Sequence, residues 1–156
     1  YPYPVIRMAE MYLNLAEILI ELDALENTTG RLEEAKGLID KIRVRAGIPT
    51  IDEAWKKANH PEKANTAEGL REIVRRERQI EFYLENQRFW DLRRWKDAGI
   101  LGEKVWGMNI EGDTDETFFV PTELQNIRTF KQAQYLMPIP MTETNKVPHI
   151  VQNPGY

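Results

Sequence analysis

The stretch VIRMAEMYLNLAEILIELDALENTTGRLEEAKGLIDKIRVRAG, residues 5–47, decides the fold. Over residues 5–25, Val5, Met8, Ala9, Tyr12, Leu15, Ala16, Leu19 and Ile20 recur at three- and four-residue spacings. Arg7, Glu10, Asn14, Glu17 and Glu21 line the other side, which is the period of an amphipathic helix. Pro4 suits the first turn, where its missing N–H costs nothing. Asn27-Thr28-Thr29-Gly30 breaks the series. A second helix is expected over 31–46, with Leu32, Ala35, Leu38, Ile39, Ile42 and Ala46 facing inward. Gly47 is its left-handed cap and Pro49 stops it. Two helices with so short a link should pack antiparallel.

Ala9 and Tyr12 sit where the small and aromatic positions fall in the first helix of a tetratricopeptide repeat. No copy follows at the repeat spacing, so a repeat-like hairpin is supported and an array is not. Working outward, residues 51–58 form a short helix carrying Trp55. Asn65, with Glu68 three residues on, reads as a capping box that opens a helix over 65–86. Its inward positions are Leu70, Ile73, Val74, Ile80 and Leu84. A fourth helix over 88–98 presents Phe89, Leu92 and Trp95, and Gly99 ends it. From Gly102 onward, Pro121, Pro138, Pro140, Pro148 and Pro154 interrupt any period. A short helix over 122–133 and an extended run over 135–140 are expected there. The class is therefore all-α: tetratricopeptide-like helical hairpins with an irregular, Pro-rich C-terminal wrap. We read residues 1–156 as one domain, with a helical part at 5–98 and an irregular part at 99–156.

Composition narrows the chemistry. The chain has 156 residues, 42% of them hydrophobic and 29% charged, which suits one folded domain. No apolar run approaches the length of a membrane span. A net charge of −4 disfavours nucleic acid, whose phosphates call for a basic surface. Zero Cys excludes disulfides, thiolate catalysis and Cys-based zinc sites. The two histidines, His60 and His149, lie in polar loops and form no paired metal motif. The chain starts at Tyr1 without Met or a signal segment, which reads as a processed chain or a piece of a longer one.

The sharpest local feature is a charge anomaly. Glu77 and Glu81 continue the series 70, 73, 74, 77, 80, 81, 84 and so fall on an apolar helix face. Unpaired, each would cost several kcal/mol, roughly, to bury. Seven of the twelve arginines lie between residues 71 and 94, a span without lysine. Phosphate binding is disfavoured because Glu72, Glu77, Glu81, Glu85 and Asp91 interleave with the basic residues. A glycosidase pair is disfavoured because two acids on one helix leave no cleft between them. A buried network of bidentate Arg–carboxylate pairs accounts for both the placement and the choice of Arg over Lys. We assign to it Arg7, Arg43, Glu77, Arg78, Glu81, Arg88 and Asp91, with Arg45 as a further partner. No catalytic group, metal site or cofactor is called for.

Trp90 and Trp95 read as helix-packing residues. Trp106, Phe118 and Phe119 flank the loop Gly107-Met108-Asn109-Ile110-Glu111-Gly112-Asp113. Aromatics on such loops either plug a core or stack on sugar rings, with Asn and Asp serving the hydroxyls. Asp113-Thr114-Asp115-Glu116 lacks the spacing of a calcium loop. Asn27-Thr28-Thr29 is a formal glycosylation sequon.

Five landmarks in this order resemble the C-terminal region of the SusD/RagB family. They are Arg7–Glu17, the run Asp40-Lys41-Ile42-Arg43-Val44-Arg45-Ala46-Gly47-Ile48-Pro49, and Ile73–Trp95 with Arg88-Phe89-Trp90-Asp91-Leu92-Arg93-Arg94-Trp95. Tyr135-Leu136-Met137-Pro138-Ile139-Pro140 and Gln152-Asn153-Pro154-Gly155-Tyr156 complete them. The resemblance implies an outer-membrane lipoprotein on the bacterial cell surface that binds oligosaccharides or other nutrients without hydrolysing them. It implies a SusC-like TonB-dependent transporter as partner and tetratricopeptide-like units formed jointly by N- and C-terminal parts. It also implies a lipidated Cys at the start of a longer chain, so these residues are expected to be a C-terminal fragment or a separately made domain. Asn86-Gln87 departs from the acidic residue and Gly commoner in the family at that junction. The landmarks are architectural, so the irregular insert supplies the ligand-contact candidates: Trp106, Asn109, Phe118 and Phe119. A helical-repeat module that docks a protein through the first hairpin, with no ligand of its own, is the other reading left open.

Overall fold

In the computed structural model, which describes residues 6–124, 128–147 and 149–156, the first apolar series winds into α1, Met8–Glu26. Pro4 and Val5, expected at its start, lie outside the described residues. Asn27 closes it in the left-handed conformation, at φ 54°. Asp23, fully buried, then organises the connection. It accepts from the Thr28 hydroxyl (2.6 Å), the Arg31 backbone N–H (2.7 Å) and the Arg31 guanidinium (2.9 Å). α2, Leu32–Arg45, packs back on α1, burying Leu32, Ala35, Leu38, Ile39 and Ile42, and Gly47 takes φ +72° just beyond it.

α3, Ile51–Lys57, opens on a Thr50–Glu53 capping box, and the Asp40 carboxylate accepts from the Ile51 N–H at 2.8 Å. A 3-10 turn, Pro61–Asn65, leads into α4, Ala67–Glu81, which lies on α1 and α2. The N-cap is Thr66, not Asn65: its hydroxyl accepts from Gly69 N at 3.1 Å, while the Asn65 amide donates to the Pro61 carbonyl. Gly69 is required here. A Cβ on it would stand 2.1 Å from the Lys63 carbonyl oxygen, so the turn and the helix pack backbone to backbone.

The expected faces need three corrections, the first at Ala46, expected to face inward but exposed because α2 ends at Arg45. α4 ends at Glu81 instead of continuing to 86; Leu84 turns out to φ 66°, and Leu84 and Ile80 are 85% and 59% exposed. On α1 the buried face is Ala9, Leu13, Ala16, Glu17, Ile20 and Asp23, so Glu17 is inside while Met8 and Leu15 face out. The reason is that α1 is apolar on two sides, and periodicity does not say which of them meets α2 and α4.

The chain divides into two compact units, residues 1–88 and 89–156. α5, Gln87–Arg94, lies mostly in the second and is shorter than the expected 88–98, because Lys96 turns to φ 63°. Trp90, read as a packing residue, is exposed. A 3-10 turn at Ala98–Gly102 follows, then an antiparallel pair not foreseen from the pattern: β1, Val105–Met108, against β2, Pro121–Leu124. Their register sets Val105 opposite Leu124 and Met108 opposite Pro121, and the connection carries α6, Asp115–Phe118. Part of the helix expected over 122–133 is therefore strand; its residues 125–127 lie outside the described residues, and Gln132–Tyr135 is a 3-10 turn. α7, Met141–Lys146, is the last helix. The extended run before it is held by the C-terminal motif. Gln152 accepts from Ile139 N and donates to Ile139 O, both at 2.8 Å, Asn153 donates to Met137 O (2.6 Å) and the Tyr156 hydroxyl donates to Leu136 O (3.1 Å). Pro138 and Pro140 have no N–H to offer, so side chains take over the ladder.

Candidate functional site

The insert between Val105 and Leu124 is built to present apolar side chains. In β1 successive residues alternate between the two faces, and Trp106 and Met108 share the exposed one. Gly107 lies beneath Leu124, whose side chain comes within 3.0 Å of where a Cβ would be. Past the strand, Asn109 organises the loop. Its backbone N–H donates to Phe118 O (3.1 Å), its amide donates to Thr117 O (3.2 Å), and its side-chain oxygen accepts from Glu111 N (3.3 Å). Gly112 then passes so close to α6 that a Cβ would meet Phe118 N at 2.5 Å. Phe118 and Phe119 stand edge to face, with centroids 5.1 Å apart.

Of the four candidate contact residues, Asn109, Phe118 and Phe119 are thus brought into one hydrogen-bonded loop, and Trp106 stands on the strand leading into it. Trp106 and Phe119 are 60% and 61% exposed, and Met108, Ile110 and Val120 of the same insert are exposed too. Asn109 has its amide committed to the loop's own backbone, so it positions Phe118 and Phe119. Exposed aromatic rings held by a stapled loop can stack on apolar ring faces. Among the described residues no group of three or more His, Asp or Glu side chains is arranged to hold a metal ion, the Asp113–Glu116 run included.

The charged residues assigned to a network lie elsewhere and do a different job. In the first unit the Arg7 guanidinium reaches from the start of α1 to the end of α4. It bonds Glu81 Oε1 (2.5 Å), Glu81 O (2.7 Å) and both Glu85 oxygens (2.8 and 3.0 Å), with the Phe82 ring 4.9 Å away. Arg45 donates to the same Glu81 oxygen. Burial acts to raise the Glu81 pKa, but the bonds from Arg7 and Arg45 outweigh it and hold the carboxyl below its usual range. Arg43 pairs with Glu77, both nearly buried, and also donates to Pro49 O (2.7 Å). Arg78 donates to Asn14 (2.6 Å) and sits 3.9 Å from Glu17. In the second unit Asp91 accepts from Arg94 at 2.9 Å; Arg88, the last residue of the first unit, is engaged as well.

Two features were not singled out from the sequence. In the first unit a cavity of about 230 Å³ is lined by Arg43, Trp55, Ile73, Arg76 and Glu77. In the second, one of about 300 Å³ is lined by Phe89, Arg93, Leu101, Phe130, Leu136 and Tyr156. Arg93 is buried there: it donates to Tyr135 O (2.6 Å) and lies over the Phe89 and Trp90 rings at 5.1 and 5.4 Å. No helix among the described residues is long and apolar enough to cross a membrane.

The profile of the SusD family matches residues 1–156. Among solved structures, selenomethionine BT4246 is 32% identical over the whole of this chain, with a TM-score of 0.79, and a SusD-like protein (BF3747) from Bacteroides fragilis NCTC 9343 is 36% identical over the whole of it, at 0.75. This chain spans 25% of the former and 28% of the latter, about a quarter of each. No curated protein matches it.

Proposed function

For a chain that belongs to the SusD family along its whole length, we propose a role in nutrient capture at the bacterial outer membrane. The protein of which these residues are part binds oligosaccharides or other nutrients at the cell surface and hands them, chemically unchanged, to a SusC-like TonB-dependent transporter. A lipid anchor on its N-terminal part holds it there. The observation that carries this reading is the family match over every residue, in a chain whose five landmarks occur in the family's order. The insert supports it locally, since Trp106 on β1 and Phe118 and Phe119 on the loop stapled by Asn109 are all exposed.

These residues serve as the C-terminal domain of a longer protein. Met8, Met11, Leu15, Ile18, Leu22 and Leu25 are all exposed on α1 and alternate by three and four residues, a seam about 26 Å long. Such a seam is the face a second helix covers. In relatives four times as long, helices from the remaining chain are available to cover it. The same seam is the observation that favours the second reading, a helical module that docks a separate protein partner and has no ligand.

One experiment separates the two. Full-length protein is titrated against a panel of oligosaccharides, the recovered ligand is analysed for cleavage, and the membrane fraction is tested for co-purification of a TonB-dependent transporter. Saturable binding with intact ligand and a bound transporter supports capture and delivery. Binding to no glycan, together with a soluble protein partner lost on Leu15→Glu, supports the docking module.

A further inference from the structure

One flank of α4 carries a second arrangement suited to a sugar, in the first unit and with no residue in common with the insert. Two cavities open along it, the one of about 230 Å³ beside Trp55 and one of about 320 Å³ lined by Arg76, Gln79, Ile80 and Tyr83. Arg76 lines both, with the Trp55 indole beside the first and the Tyr83 phenol beside the second. From Ile73 to Ile80 the helix rises about 10 Å, the reach of a short oligosaccharide.

The polar groups between the aromatic ends differ from the rest of the unit. Arg7, Arg31, Arg43, Arg45 and Arg71 each pair with a carboxylate. Arg76 donates only to the neutral amide of Gln79, at 3.2 Å, and has no carboxylate among the described residues. At the floor, Glu77 is neutralised by Arg43 and so does not cancel the charge of Arg76. Tyr83 is 75% exposed; Trp55 is half-buried, packed in part against the core, with Lys63 Nζ 4.9 Å from its ring, so only its uncovered part borders the cavity. A guanidinium with open donor positions recognises a carboxylate in two parallel bonds, and flanking aromatic faces accept the C–H side of a pyranose. A simple polyanion would leave Trp55 and Tyr83 unused.

We infer that this groove is a second oligosaccharide subsite, selective for a chain bearing a uronic acid, with Arg76 on the carboxylate and Trp55 and Tyr83 on the rings. The inference rests on the capture reading for its ligand class and adds a place and a charge preference to it.

The test is calorimetric titration of the full-length protein with an oligogalacturonate, with its neutral methyl ester, and with polyglutamate as a charged probe without rings. The expected result is preference for the oligogalacturonate over both others. Arg76→Gln should weaken the oligogalacturonate by about tenfold or more and leave the ester nearly unchanged. Tyr83→Ala, at a position too exposed to affect folding, should weaken both sugars severalfold. Equal affinity for polyglutamate, no binding of the oligogalacturonate, or indifference to Arg76→Gln and Tyr83→Ala would each overturn the inference. An oligogalacturonate whose binding is lost on Trp106→Ala but kept on Arg76→Gln would leave the capture reading intact while this one falls. Failure of every glycan would remove both.

Discussion

Replacing Glu77 by Ala tests whether the acidic residues on the inner face of α4 are structural. Glu77 and its partner Arg43 have side chains only 11% and 12% exposed. Breaking a buried pair by deleting one member costs about 3–5 kcal/mol, because the other charge is left without a counter-ion. Here the lower end applies, since Arg43 keeps its bond to the Pro49 carbonyl and the nearby cavity admits water. About 3 kcal/mol in a chain of this size corresponds to a Tm lower by about 6–12 °C. Thermal and urea unfolding, followed by the helical signal, would measure it. Replacing both partners by apolar residues, Arg43→Met with Glu77→Leu, should recover most of the loss, because a buried pair and its apolar substitute are close in energy. The two single changes should then be non-additive by about 2 kcal/mol. An unchanged melting temperature in Glu77→Ala, or strict additivity in the double variant, would show that Glu77 and Arg43 do not form a stabilising pair.

Gly69→Ala should destabilise by about 1–3 kcal/mol or more, read as a lower urea midpoint, because its Cβ would sit 2.1 Å from the Lys63 carbonyl oxygen and backbone must move. Acid should unfold the protein in a defined window. Glu21, held low chiefly by its bond from Arg71, and Glu81 both have folded pKa values below the usual 4.5. Their stabilisation is present in full above that value and is lost as pH falls through the folded pKa. Asp40, raised by burial, works with the opposite sign and offsets part of the loss. Melting temperature against pH should therefore decline below about 4.5, and Glu81→Gln should flatten that decline; a parallel curve would count against it.

How far the pattern could be read depended on whether it named the neighbour. α2 was legible because it has one apolar face, and Leu32, Ala35, Leu38, Ile39 and Ile42 all lie on it. α1 has two, so its helical state followed from the spacing while Glu17 and Leu15 were assigned to the wrong sides. At the start of α4, Asn65 and Thr66 are both good caps, and the choice was settled by the fit of Gly69 against Lys63, a tertiary contact. Four-residue strands such as Val105–Met108, with Gly107 inside, carry too little alternation to stand out. The aromatics of the insert could be named from loop composition, but not the commitment of the Asn109 amide to Thr117 and Glu111, which depends on α6 folding back. The groove on α4 was beyond reach, because Trp55 and Arg76 come together only when α3 and α4 pack on the same core.

If the insert is the surface that holds a nutrient, one affinity measurement shows it most directly. Full-length protein and its Trp106→Ala variant, shown to melt at the same temperature, would be titrated with the best ligand from the oligosaccharide panel. Trp106 is 60% exposed, so its loss should leave the fold intact. Loss of one stacking ring should weaken binding by about tenfold, the factor for roughly 1.4 kcal/mol. Unchanged affinity in the variant would contradict the assignment of ligand contact to this insert.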